Sequence, residues 1–255
     1  MNLAILQARM SSTRLPGKVL KTVNKIPLLK YQCDRLAKSE KINHLIIATS
    51  IDELDDEIDE FAQKNKIACF RGSLDDVLER YYFCAKEFKL DSNLTTLNII
   101  RITGDCPIID SKLVDKVINY YETNICSYAS NTIIPTFPDG MDIEIFNYQS
   151  LELAFNEATL NSDREHVTTY IKKNDKFTKL NFESKYDFSH LRFTVDVLSD
   201  FELIRVLIKA LYRINPDFSY LDAISYMTKN PNLFSINSNV QRDEGYIKSL
   251  VKDKY

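Results

Sequence analysis

Short apolar runs alternate with amphipathic stretches through the first half of the chain. Four runs have the length and the isoleucine and leucine content of buried strands, at residues 3–7, 44–49, 68–71 and 97–103. Between them, apolar residues recur at intervals of three and four, which predicts helices at residues 27–39, 53–65 and 74–88. This alternation predicts a parallel sheet that is covered by helices on both faces.

The second half of the chain has a different pattern. Residues 126–147 contain two prolines and a glycine, and apolar and polar side chains alternate over 141–146. We expect antiparallel or irregular strands there that leave the main sheet. Later elements are predicted as helices at 148–158 and 163–173, strands at 177–183 and 190–195, and helices at 199–212, 219–229 and 242–253. Without repeats or low-complexity linkers, we expect one domain over 1–255, with an excursion at about 126–175 and C-terminal helices over 213–255.

Composition and charge narrow the class of protein. The chain has 255 residues, of which 44% are hydrophobic and 27% are charged, the balance of an ordinary soluble globular protein. A net charge of −3 gives no reason to expect nucleic acid or a membrane as partner, so any anion site must be a local cluster. Five scattered cysteines without a CxxC pair suggest reduced thiols in a cytoplasmic protein. We expect no signal peptide, since the first apolar run is short, and no run is long enough for a membrane span.

Three cations lie close together in the loop after the first predicted strand. Arg9, Arg14 and Lys18 are accompanied by hydroxyl side chains at positions 11–13. Ligands of open α/β sheets gather at the carboxyl ends of strands, and arginine and lysine are the usual partners of phosphate. Neither a GxGxxG motif nor the spacing of a P-loop is present. The loop is therefore either a triphosphate-binding loop or a solvated loop with incidental basic residues.

Two further apolar runs each end in an aspartate. Asp105 follows a glycine in RITGDCP, and Asp196 is the last residue of FTVD. Such carboxylates suit Mg²⁺, which prefers oxygen ligands and usually binds through one or two carboxylates plus substrate phosphates. The alternatives are a turn aspartate that bonds its own backbone at position 105 and a helix N-cap at position 196. For the N-cap, Ser199 or Asp200 is better placed in the sequence.

Polar residues of the second half are candidates for binding a second substrate. Asp142 and Glu144 lie two residues apart and therefore share one face of a predicted strand. That face is either the polar wall of a cleft or a solvated edge. In NSDREH, residues 161–166, a capping box between positions 162 and 165 explains the serine and the glutamate. This leaves Arg164 and His166 as candidate contacts. Residues 72–80, GSLDDVLER, likewise open with a helix cap.

Seven segments occur in a fixed order along the chain: QARMSSTRLPGKVL, FRGSLDDVLERYY, RITGDCPIID, YASNT, FPDGMDIEIF, SDREHVT and FTVD. Together they resemble the cytidylyltransferase family of the spore-coat polysaccharide biosynthesis protein F type. That family is related to the synthetases of CMP-linked sugar acids such as Kdo and sialic acids. The resemblance runs from residue 2 to about residue 210. It implies an α/β, three-layer nucleotide-diphospho-sugar transferase fold, GT-A-like and Rossmann-like, with a mixed, mostly parallel sheet and a small inserted dimerisation excursion.

The resemblance also implies CTP as substrate, Mg²⁺ as cofactor, a homodimer, and roles for individual residues. It assigns catalysis to Arg14, Lys18 and Asp105, and metal binding to Asp105 and Asp196. The nucleotide-binding residues that it implies are Gln7, Ala8, Arg9, Ser12, Thr13, Arg14, Lys18, Ser73, Asp76, Arg80, Thr103 and Gly104. The acceptor-binding residues that it implies are Asp139, Asp142, Glu144, Arg164, Glu165 and His166.

The chain departs from the family pattern at two places. Ser11 stands where many members have glycine, and residues 197–199 replace an acidic and proline-containing sequence. The implied reaction is attack by an acceptor oxygen on the α-phosphorus of CTP, with release of pyrophosphate, in cell-surface polysaccharide biosynthesis. The acceptor is a sugar acid or a small phosphorylated molecule. The alternatives are a nucleotidyltransferase that uses another NTP on a sugar phosphate, a GT-A glycosyltransferase, and a noncatalytic nucleotide-binding subunit.

Overall fold

The computed structural model describes residues 1–242 and 244–253 of the chain. Its strands are β1 (Asn2–Gln7), β2 (Thr22–Val23), β3 (Ile26–Pro27), β4 (His44–Ser50), β5 (Ala68–Gly72), β6 (Asn98–Thr103), β7 (Tyr128–Ser130), β8 (Glu144–Asn147) and β9 (Lys179–Asn181). Its α-helices are α1 (Leu28–Leu36), α2 (Asp56–Lys64), α3 (Val77–Asp91), α4 (Ser111–Thr123), α5 (Tyr148–Glu157), α6 (Asn161–His166), α7 (Thr169–Lys173), α8 (Leu198–Leu211), α9 (Tyr220–Lys229) and α10 (Glu244–Lys252). Short 3₁₀ helices occupy Lys18–Leu20, Glu53–Asp55 and Pro231–Ser235.

Seven strands form one sheet in the order β5-β4-β1-β6-β8-β7-β9. The central strand β1 pairs in parallel with β4 and β6, and β5 continues the parallel set beyond β4. Strand β8 is antiparallel to both of its neighbours, β6 and β7, while β9 is parallel to β7. The prediction of a mixed, mostly parallel sheet is therefore confirmed. Strands β2 and β3 form a separate hairpin.

Helices cover both faces of the sheet, as the alternation of strands and helices predicts. Successive residues of a strand point to opposite faces, so Ala4 and Leu6 of β1 belong to one apolar core and Leu3 and Ile5 to the other. All four side chains are fully buried. The first core is closed by α1, α2, α4, α8 and α9, and the second by α3, α5 and α7. The carboxyl ends of β1 and β6 are thus held rigidly side by side.

Three predictions about the second half were wrong. Residues 126–147 form antiparallel strands as expected, but these strands do not leave the main sheet, because β7 and β8 extend it beyond β6. Residues 190–195 do not form a strand and make only an isolated bridge, between Asp139 and Arg192. The helix expected at 163–173 is two helices, α6 and α7. Tertiary pairing decides these short segments, and local periodicity does not encode it.

The break between α6 and α7 is a strained turn. Val167 has φ 63° and ψ −59°, and the Thr168 N–H donates to the His166 carbonyl at 2.6 Å, which makes a γ-turn. A β-branched residue with positive φ is strained by about 1–3 kcal/mol. The strain is offset because the Val167 side chain is fully buried in the second core and the Thr168 hydroxyl donates to Glu144 at 2.6 Å. The turn places His166 where α6 ends.

The C-terminal part contains helices much as expected. The predicted helix at 219–229 corresponds to α9, and most of the one predicted at 242–253 corresponds to α10. Asp243 and residues 254–255, which the predicted C-terminal region includes, lie outside the described residues. Across residues 1–242 and 244–253, no helix combines the length and the apolar character that crossing a membrane requires.

Candidate active site

The loop after β1 is anchored to its surroundings at several points. The Met10 N–H donates to the Asp55 carboxylate at 2.6 Å, and the N–H groups of Ser12 and Gly17 both donate to the Met10 carbonyl at 2.9 Å. Gly17 has φ +65°, a left-handed conformation that glycine adopts without strain. Immediately after it, Lys18 begins a 3₁₀ helix. The loop therefore holds a defined conformation and presents Lys18 toward the sheet.

Lys18, Asp105 and Asp196 meet at one point, as the sequence hypothesis of a shared site requires. The Lys18 ammonium donates to the Asp105 Oδ2 and to the Asp196 Oδ1, both at 2.7 Å. The side chains are 11%, 22% and 20% exposed, respectively, so solvent reaches the group. Burial alone would raise the pKa of Asp105, but the charge and hydrogen bond of Lys18 outweigh it and lower the pKa to about 2. Both the ammonium and the Asp105 carboxylate are therefore charged at neutral pH.

Backbone hydrogen bonds fix the two aspartates. The Gly104 N–H donates to the Gln7 carbonyl at 2.7 Å, which joins the end of β6 to the end of β1. A Cβ on Gly104 would lie 2.7 Å from that same carbonyl oxygen, so this approach requires glycine. The Val195 N–H donates to the Asp105 carbonyl at 2.8 Å, which brings the segment before Asp196 alongside. The first and last motifs of the chain thus converge here.

Arg192, which the sequence analysis did not select, binds three carboxylates. Its guanidinium contacts Asp139 and Asp196, and its Nε donates to the Asp200 Oδ1 at 3.0 Å. The Arg192 side chain is only 7% exposed. The N-cap of α8 is Val197, and neither Ser199 nor Asp200 occupies that position. Asp200, at the third helical position, accepts from the Asp196 N–H at 2.9 Å and from the Val197 N–H at 3.2 Å, so the Asp196 side chain is left for Lys18 and Arg192. We call Lys18, Asp105, Asp196 and Arg192 the strand-end cluster.

Asp139 lies against the strand-end cluster. Burial and the neighbouring charge of Asp142 raise its pKa to about 7, against the opposing charges of Arg192 and Arg242. The charge of Asp196, which shares the Arg192 guanidinium, also raises the pKa of Asp139. The predicted acceptor residue Asp139 is therefore adjacent to the predicted metal residues.

Arg14 joins the strand-end cluster from the loop after β1. Its Nη2 lies 3.1 Å from the Asp196 Oδ1, and its Nη1 donates to the Glu244 Oε2 at 2.6 Å. Arg9 and Thr13 are exposed, and Ser12 is half-buried, so these three predicted nucleotide contacts face the open side of the loop. At the base of the loop, Ala8 is buried and the Gln7 Oε1 is buried without a hydrogen-bond partner among the described residues.

Arg80 is a buried cation on α3. It is 2% exposed, and its Nε and Nη1 have no hydrogen-bond partner in the described part of the chain. Burial lowers its pKa, and the nearby charge of Arg9 adds to this effect. Arg80 and Ser73 line a cleft of about 600 Å³ between α3 and the edge strand β5, together with Phe70 and Phe83. A ligand oxygen here would satisfy donors that are otherwise costly to bury.

Two residues that were predicted for different ligands contact each other. Asp76 caps α3 by accepting from the Glu79 N–H at 2.9 Å, and its other oxygen accepts from the Arg164 Nε. The predicted capping box of α6 is absent, since Leu160 occupies the N-cap position and the buried Ser162 hydroxyl lacks a partner within the described ranges. The pair of Asp76 and Arg164 instead ties α6 to the start of α3.

Glu144 belongs to a second group of charges inside the protein. Its carboxylate pairs with Arg101 at 3.2 Å and with Lys172, and accepts from the Thr168 hydroxyl at 2.6 Å. Its side chain is 4% exposed. Burial would raise its pKa, but Lys172 and Arg101 outweigh burial and lower it to about 2. We call Glu144, Arg101, Lys172 and Thr168 the internal cluster.

Among the remaining predicted acceptor residues, His166 lies against the C-terminal helix and Asp142 contacts Arg242 just before it. The His166 Nε2 is 2.9 Å from the Ser249 Oγ, and the His166 ring packs edge-on to Tyr246 with a centroid separation of 5.3 Å. Burial, together with the charges of Arg101 and Lys172, lowers the pKa of His166 to about 4. Asp142 accepts from the Arg242 Nη2 at 2.6 Å. Glu165 is half-buried on α6. Of the predicted nucleotide residues, Thr103 precedes Gly104, and its hydroxyl oxygen lies 3.4 Å from the Cys106 Sγ.

Some of the residues that the sequence analysis missed carried a signal and others did not. Arg192 precedes Asp196 by four residues in RFTVD, and Arg101 precedes Asp105 by four residues in RITGD. Both arginines therefore lie next to aspartates that the sequence had already singled out. Lys172 and Glu244 lie in stretches of ordinary charged surface sequence, and only the fold brings them to the site. Long-range ion pairs of this kind leave no trace in local spacing.

The strand-end cluster has the donor chemistry of a divalent-cation site. Two carboxylates converge on one ammonium, which shows that the space between them accommodates a positive charge. In the described ranges, no group of three or more His, Cys, Asp or Glu side chains could hold a metal without help. Two carboxylates are the usual protein share of a Mg²⁺ site that is completed by substrate phosphates. The residues therefore fit Mg²⁺ bound together with a nucleotide.

A basic loop that follows the first strand of an open α/β sheet and faces two carboxylates is the site of a nucleotidyltransferase. The chain belongs to the cytidylyltransferase family, whose sequence model matches residues 3–227. It is 33% identical over 241 residues to the spore coat polysaccharide biosynthesis protein SpsF of Bacillus subtilis strain 168, an alignment that covers 90% of this chain and 95% of that protein.

Solved structures agree with this family. A cytidylyltransferase from Leptospira borgpetersenii serovar Hardjo-bovis is 34% identical, with a TM-score of 0.85 over 94% of this chain and 98% of that one. CMP:2-keto-3-deoxy-manno-octonic acid synthetase, solved in complex with CTP, is 15% identical, with a TM-score of 0.60 over 82% of this chain and 98% of that one. The second likeness shows a shared fold alone. The fold predicted from the sequence, that of nucleotidyltransferases, is confirmed.

Proposed function

We propose that this protein transfers the CMP group of CTP to a sugar acid or a small phosphorylated acceptor in cell-surface polysaccharide biosynthesis. The acceptor oxygen bonds to the α-phosphorus of CTP, the bond from that phosphorus to the bridging oxygen breaks, and pyrophosphate leaves. A hydroxyl acceptor also loses its proton, whereas an acceptor phosphate is already an anion. Membership of the cytidylyltransferase family and the likeness to SpsF support this assignment.

The observation that carries the proposal is the mutual pairing within the strand-end cluster. The ammonium of Lys18 is held at 2.7 Å by both Asp105 and Asp196. A nucleotide that arrives with a divalent cation supplies a partner to each: phosphate oxygens for Lys18 and the cation for the two carboxylates. Every charge of the cluster therefore stays paired throughout the exchange, which limits the cost of desolvation.

Each predicted residue has a specific role in this proposal. Arg14 and Lys18 bind the triphosphate and stabilise the departing pyrophosphate electrostatically. Asp105 and Asp196 hold Mg²⁺, which would neutralise charge on the phosphates when bound. The orphaned donors of Arg80, near Arg9 and next to the cleft of about 600 Å³, support a nucleotide contact there. Ser12, Thr13, Ser73, Asp76, Thr103 and Gly104 shape the surrounding walls.

We propose that the acceptor binds on the side of Asp139, Asp142 and His166. Asp139 adjoins the strand-end cluster through Arg192, which also contacts Asp196, a residue of the proposed metal position. Glu144 is enclosed within the internal cluster, so its role is to hold α7 and the turn at Val167 against the sheet. In the same way Arg164 acts through its pair with Asp76, beside Glu165.

Two finer proposals concern the oligomeric state of the enzyme and its cellular compartment. Ile133 and Ile134, in the connection between β7 and β8, are 40% and 58% exposed, which supports a homodimer contact at this connection. All five cysteines are free thiols, and three of them are buried, which fits a reducing cytoplasm. Analytical ultracentrifugation of the wild type and of Ile134→Glu tests the dimer, since a charge in that contact would shift the protein toward the monomer.

The experiment that tests the proposed function is CTP-dependent release of pyrophosphate with Mg²⁺. A panel of sugar acids and phosphorylated acceptors is combined in turn with CTP, UTP, GTP and ATP. Asp105→Asn is the inactivating variant, and Glu57→Gln, on the exposed face of α2, is the matched control. We expect release with CTP and one acceptor in the wild type and in the control.

The outcomes separate the parts of the proposal. Release with another nucleotide would retain the site and overturn the assignment of CTP. Nucleotide binding that needs Mg²⁺ but gives no release with any acceptor of the panel would contradict the proposed acceptor class. The catalytic proposal fails if none of the four nucleotides binds to the wild type.

A further inference from the structure

The C-terminal segment contacts three of the predicted site residues, although the sequence assigned it no role. We call residues 242 and 244–253 the C-terminal strap. The Glu244 Oε2 accepts from the Arg14 Nη1 at 2.6 Å, and the Arg242 Nη2 donates to the Asp142 Oδ1 at 2.6 Å. Further along the strap, Tyr246 and Ser249 contact His166, as described above. The strap therefore touches the phosphate loop and the acceptor side together.

The strap is also attached at its far end. The Asp253 carboxylate accepts from the Ser162 N–H at 3.0 Å, and the Tyr246 ring lies 5.9 Å from the ammonium of Lys173. The Arg242 Nη1 donates to the Phe137 carbonyl at 3.2 Å. These contacts hold α10 along α6, over the ring of His166.

The contact between Glu244 and Arg14 differs from the pairs within the strand-end cluster in what the binding of a nucleotide would do to it. In the proposed exchange, Asp105 and Asp196 would lose Lys18 and gain the divalent cation. Glu244 lies on the same guanidinium that the phosphates need, and it is 37% exposed at the outer edge of the site. An incoming phosphate would both compete with this carboxylate for Arg14 and repel it.

We propose that Glu244 is an internal competitor for the phosphate site and that phosphate binding at Arg14 loosens the C-terminal strap. In the nucleotide-free protein, Glu244 takes the place of a phosphate on Arg14, and α10 covers His166. Binding of a triphosphate removes Glu244 from Arg14, so the strap loses one of its attachments and opens more often over His166 and Asp142. This inference rests on the proposed function only in that Arg14 binds a phosphate chain.

The test uses tripolyphosphate as the probe, because it carries the phosphate chain without a base. The full chain is compared with Glu244→Gln and with the matched control Glu57→Gln, by titration calorimetry and by hydrogen exchange of α10. A partly exposed ion pair shifts a binding constant by about twofold to fivefold, so we expect tripolyphosphate to bind that much more tightly to Glu244→Gln than to the wild type or the control.

Hydrogen exchange reports the movement of the strap itself. In the wild type, tripolyphosphate is expected to speed the exchange of the α10 amides, up to the rate that Glu244→Gln shows without ligand. Arg14→Gln, which removes the other partner, is expected to reach the same rate without ligand. If tripolyphosphate leaves α10 equally protected, or if Glu244→Gln binds it no more tightly than the wild type does, the proposal is wrong.

Failure of this inference is distinguishable from failure of the proposed function. Turnover of CTP together with an unchanged α10 would overturn the loosening of the strap and leave the cytidylyltransferase reaction intact. Conversely, tighter binding to Glu244→Gln and faster exchange of α10, without pyrophosphate release from CTP, would support the strap and contradict the proposed reaction.

Discussion

Two groups of charges, one on β6 and one just beyond its carboxyl end, differ in how far they are exposed to solvent. In the strand-end cluster, Lys18, Asp105 and Asp196 are 11–22% exposed at the end of the sheet. In the internal cluster, the Glu144 carboxylate is 4% exposed and is shared by Arg101, Lys172 and Thr168. Both groups hold a carboxylate whose pKa is lowered to about 2 by nearby cations. A strongly lowered pKa alone therefore does not distinguish a binding site from a structural ion pair.

The difference lies in what each group can exchange. Asp105 and Asp196 share one ammonium at an open edge, so an arriving cation and phosphate can take over both halves of the pair. The Glu144 carboxylate is 4% exposed and is enclosed by partners from β6, α7 and the turn at Val167, so an incoming ligand does not reach it, although Lys172 itself is 34% exposed. Changes to the first cluster should affect catalysis, and changes to the second should affect stability.

The largest effect is expected from Asp105→Asn. This change keeps the size of the side chain but removes half of the proposed cation site, so kcat/KM should fall by about a thousandfold, or ~4 kcal/mol of barrier. The free energy of unfolding should fall by at most about 2 kcal/mol, which is what the lowered pKa of Asp105 corresponds to, since Lys18 keeps Asp196 as a partner and the group is partly open to solvent. Steady-state kinetics and urea unfolding measure the two quantities. A loss of stability comparable to the loss of activity would contradict the contrast between the clusters.

Glu144→Gln should have the opposite profile. Removing the charge of the buried carboxylate leaves Arg101, which is 14% exposed, without its charged partner and deprives Lys172 of the same partner, which costs about 3 kcal/mol of unfolding free energy. At a temperature where the variant is fully folded, its KM for CTP should stay within about twofold of the wild type. Glu57→Gln, an exposed change on α2, is the control for stability. If Glu144→Gln kept full stability and lost activity, Glu144 would belong to the catalytic site.

The stability that Glu144 contributes should depend on pH. Its pKa is lowered from 4.5 to about 2 in the folded protein, so the contribution is complete above pH 4.5 and is lost as the pH falls through 2. The difference in unfolding free energy between the wild type and Glu144→Gln should therefore be constant from pH 7 to 5 and shrink toward pH 2. Urea titrations at matched pH values measure it. A gap that stayed constant down to pH 2 would mean that Glu144 titrates normally.

A smaller effect is expected from Thr168→Val. The change preserves shape and removes the hydroxyl that donates to Glu144 at 2.6 Å next to the strained residue Val167. A hydrogen bond to a buried charge is worth about 1.5 kcal/mol, so the variant should lose about half as much stability as Glu144→Gln. Thr168→Ser, which keeps the hydroxyl, is the control in thermal unfolding. Equal stabilities of the valine and serine variants would remove the support that we assign to this hydrogen bond.

The smallest effect concerns Arg80, which lies outside both clusters. Since two of its buried nitrogens lack partners among the described residues, Arg80→Met should leave stability unchanged or raise it by about 1 kcal/mol. The same change should raise the KM for CTP by about tenfold, or ~1.4 kcal/mol, if the nucleotide takes these donors. Calorimetric unfolding and steady-state kinetics are sufficient to measure both. An unchanged KM would remove Arg80 from the proposed nucleotide site.

Sequence patterns were most informative for elements that local sequence alone specifies. The parallel strands β1, β4, β5 and β6 follow from apolar runs, and the loop that ends at Lys18 follows from its chemistry. The sites at Asp105 and Asp196 were also visible, because each aspartate ends an apolar run. Asp105 follows the carboxyl end of β6, the edge where ligands of parallel sheets bind. The strand expected before Asp196 is absent, and that segment reaches the site through the Val195 N–H, which donates to the Asp105 carbonyl.

The remaining features depend on contacts between distant segments. Arg192 contacts three carboxylates in the fold that contains the bridge between Asp139 and Arg192, and no periodicity in the sequence predicts that bridge. The turn at Val167 opposes the local preference of a β-branched residue and is held by the tertiary hydrogen bond to Glu144. Glu244 reaches Arg14 across 230 residues of sequence. Such interactions are properties of the fold, and local sequence does not encode them.

The central claim is that the strand-end cluster exchanges its internal partners for a nucleotide and a divalent cation. A crystal structure of the protein with CTP and Mn²⁺, which reports its position by anomalous scattering, tests this claim most directly. We predict a manganese peak between the carboxylates of Asp105 and Asp196, with the Lys18 ammonium moved onto phosphate oxygens. A bound nucleotide with Lys18 still joined to both aspartates, and no manganese between them, would contradict the account.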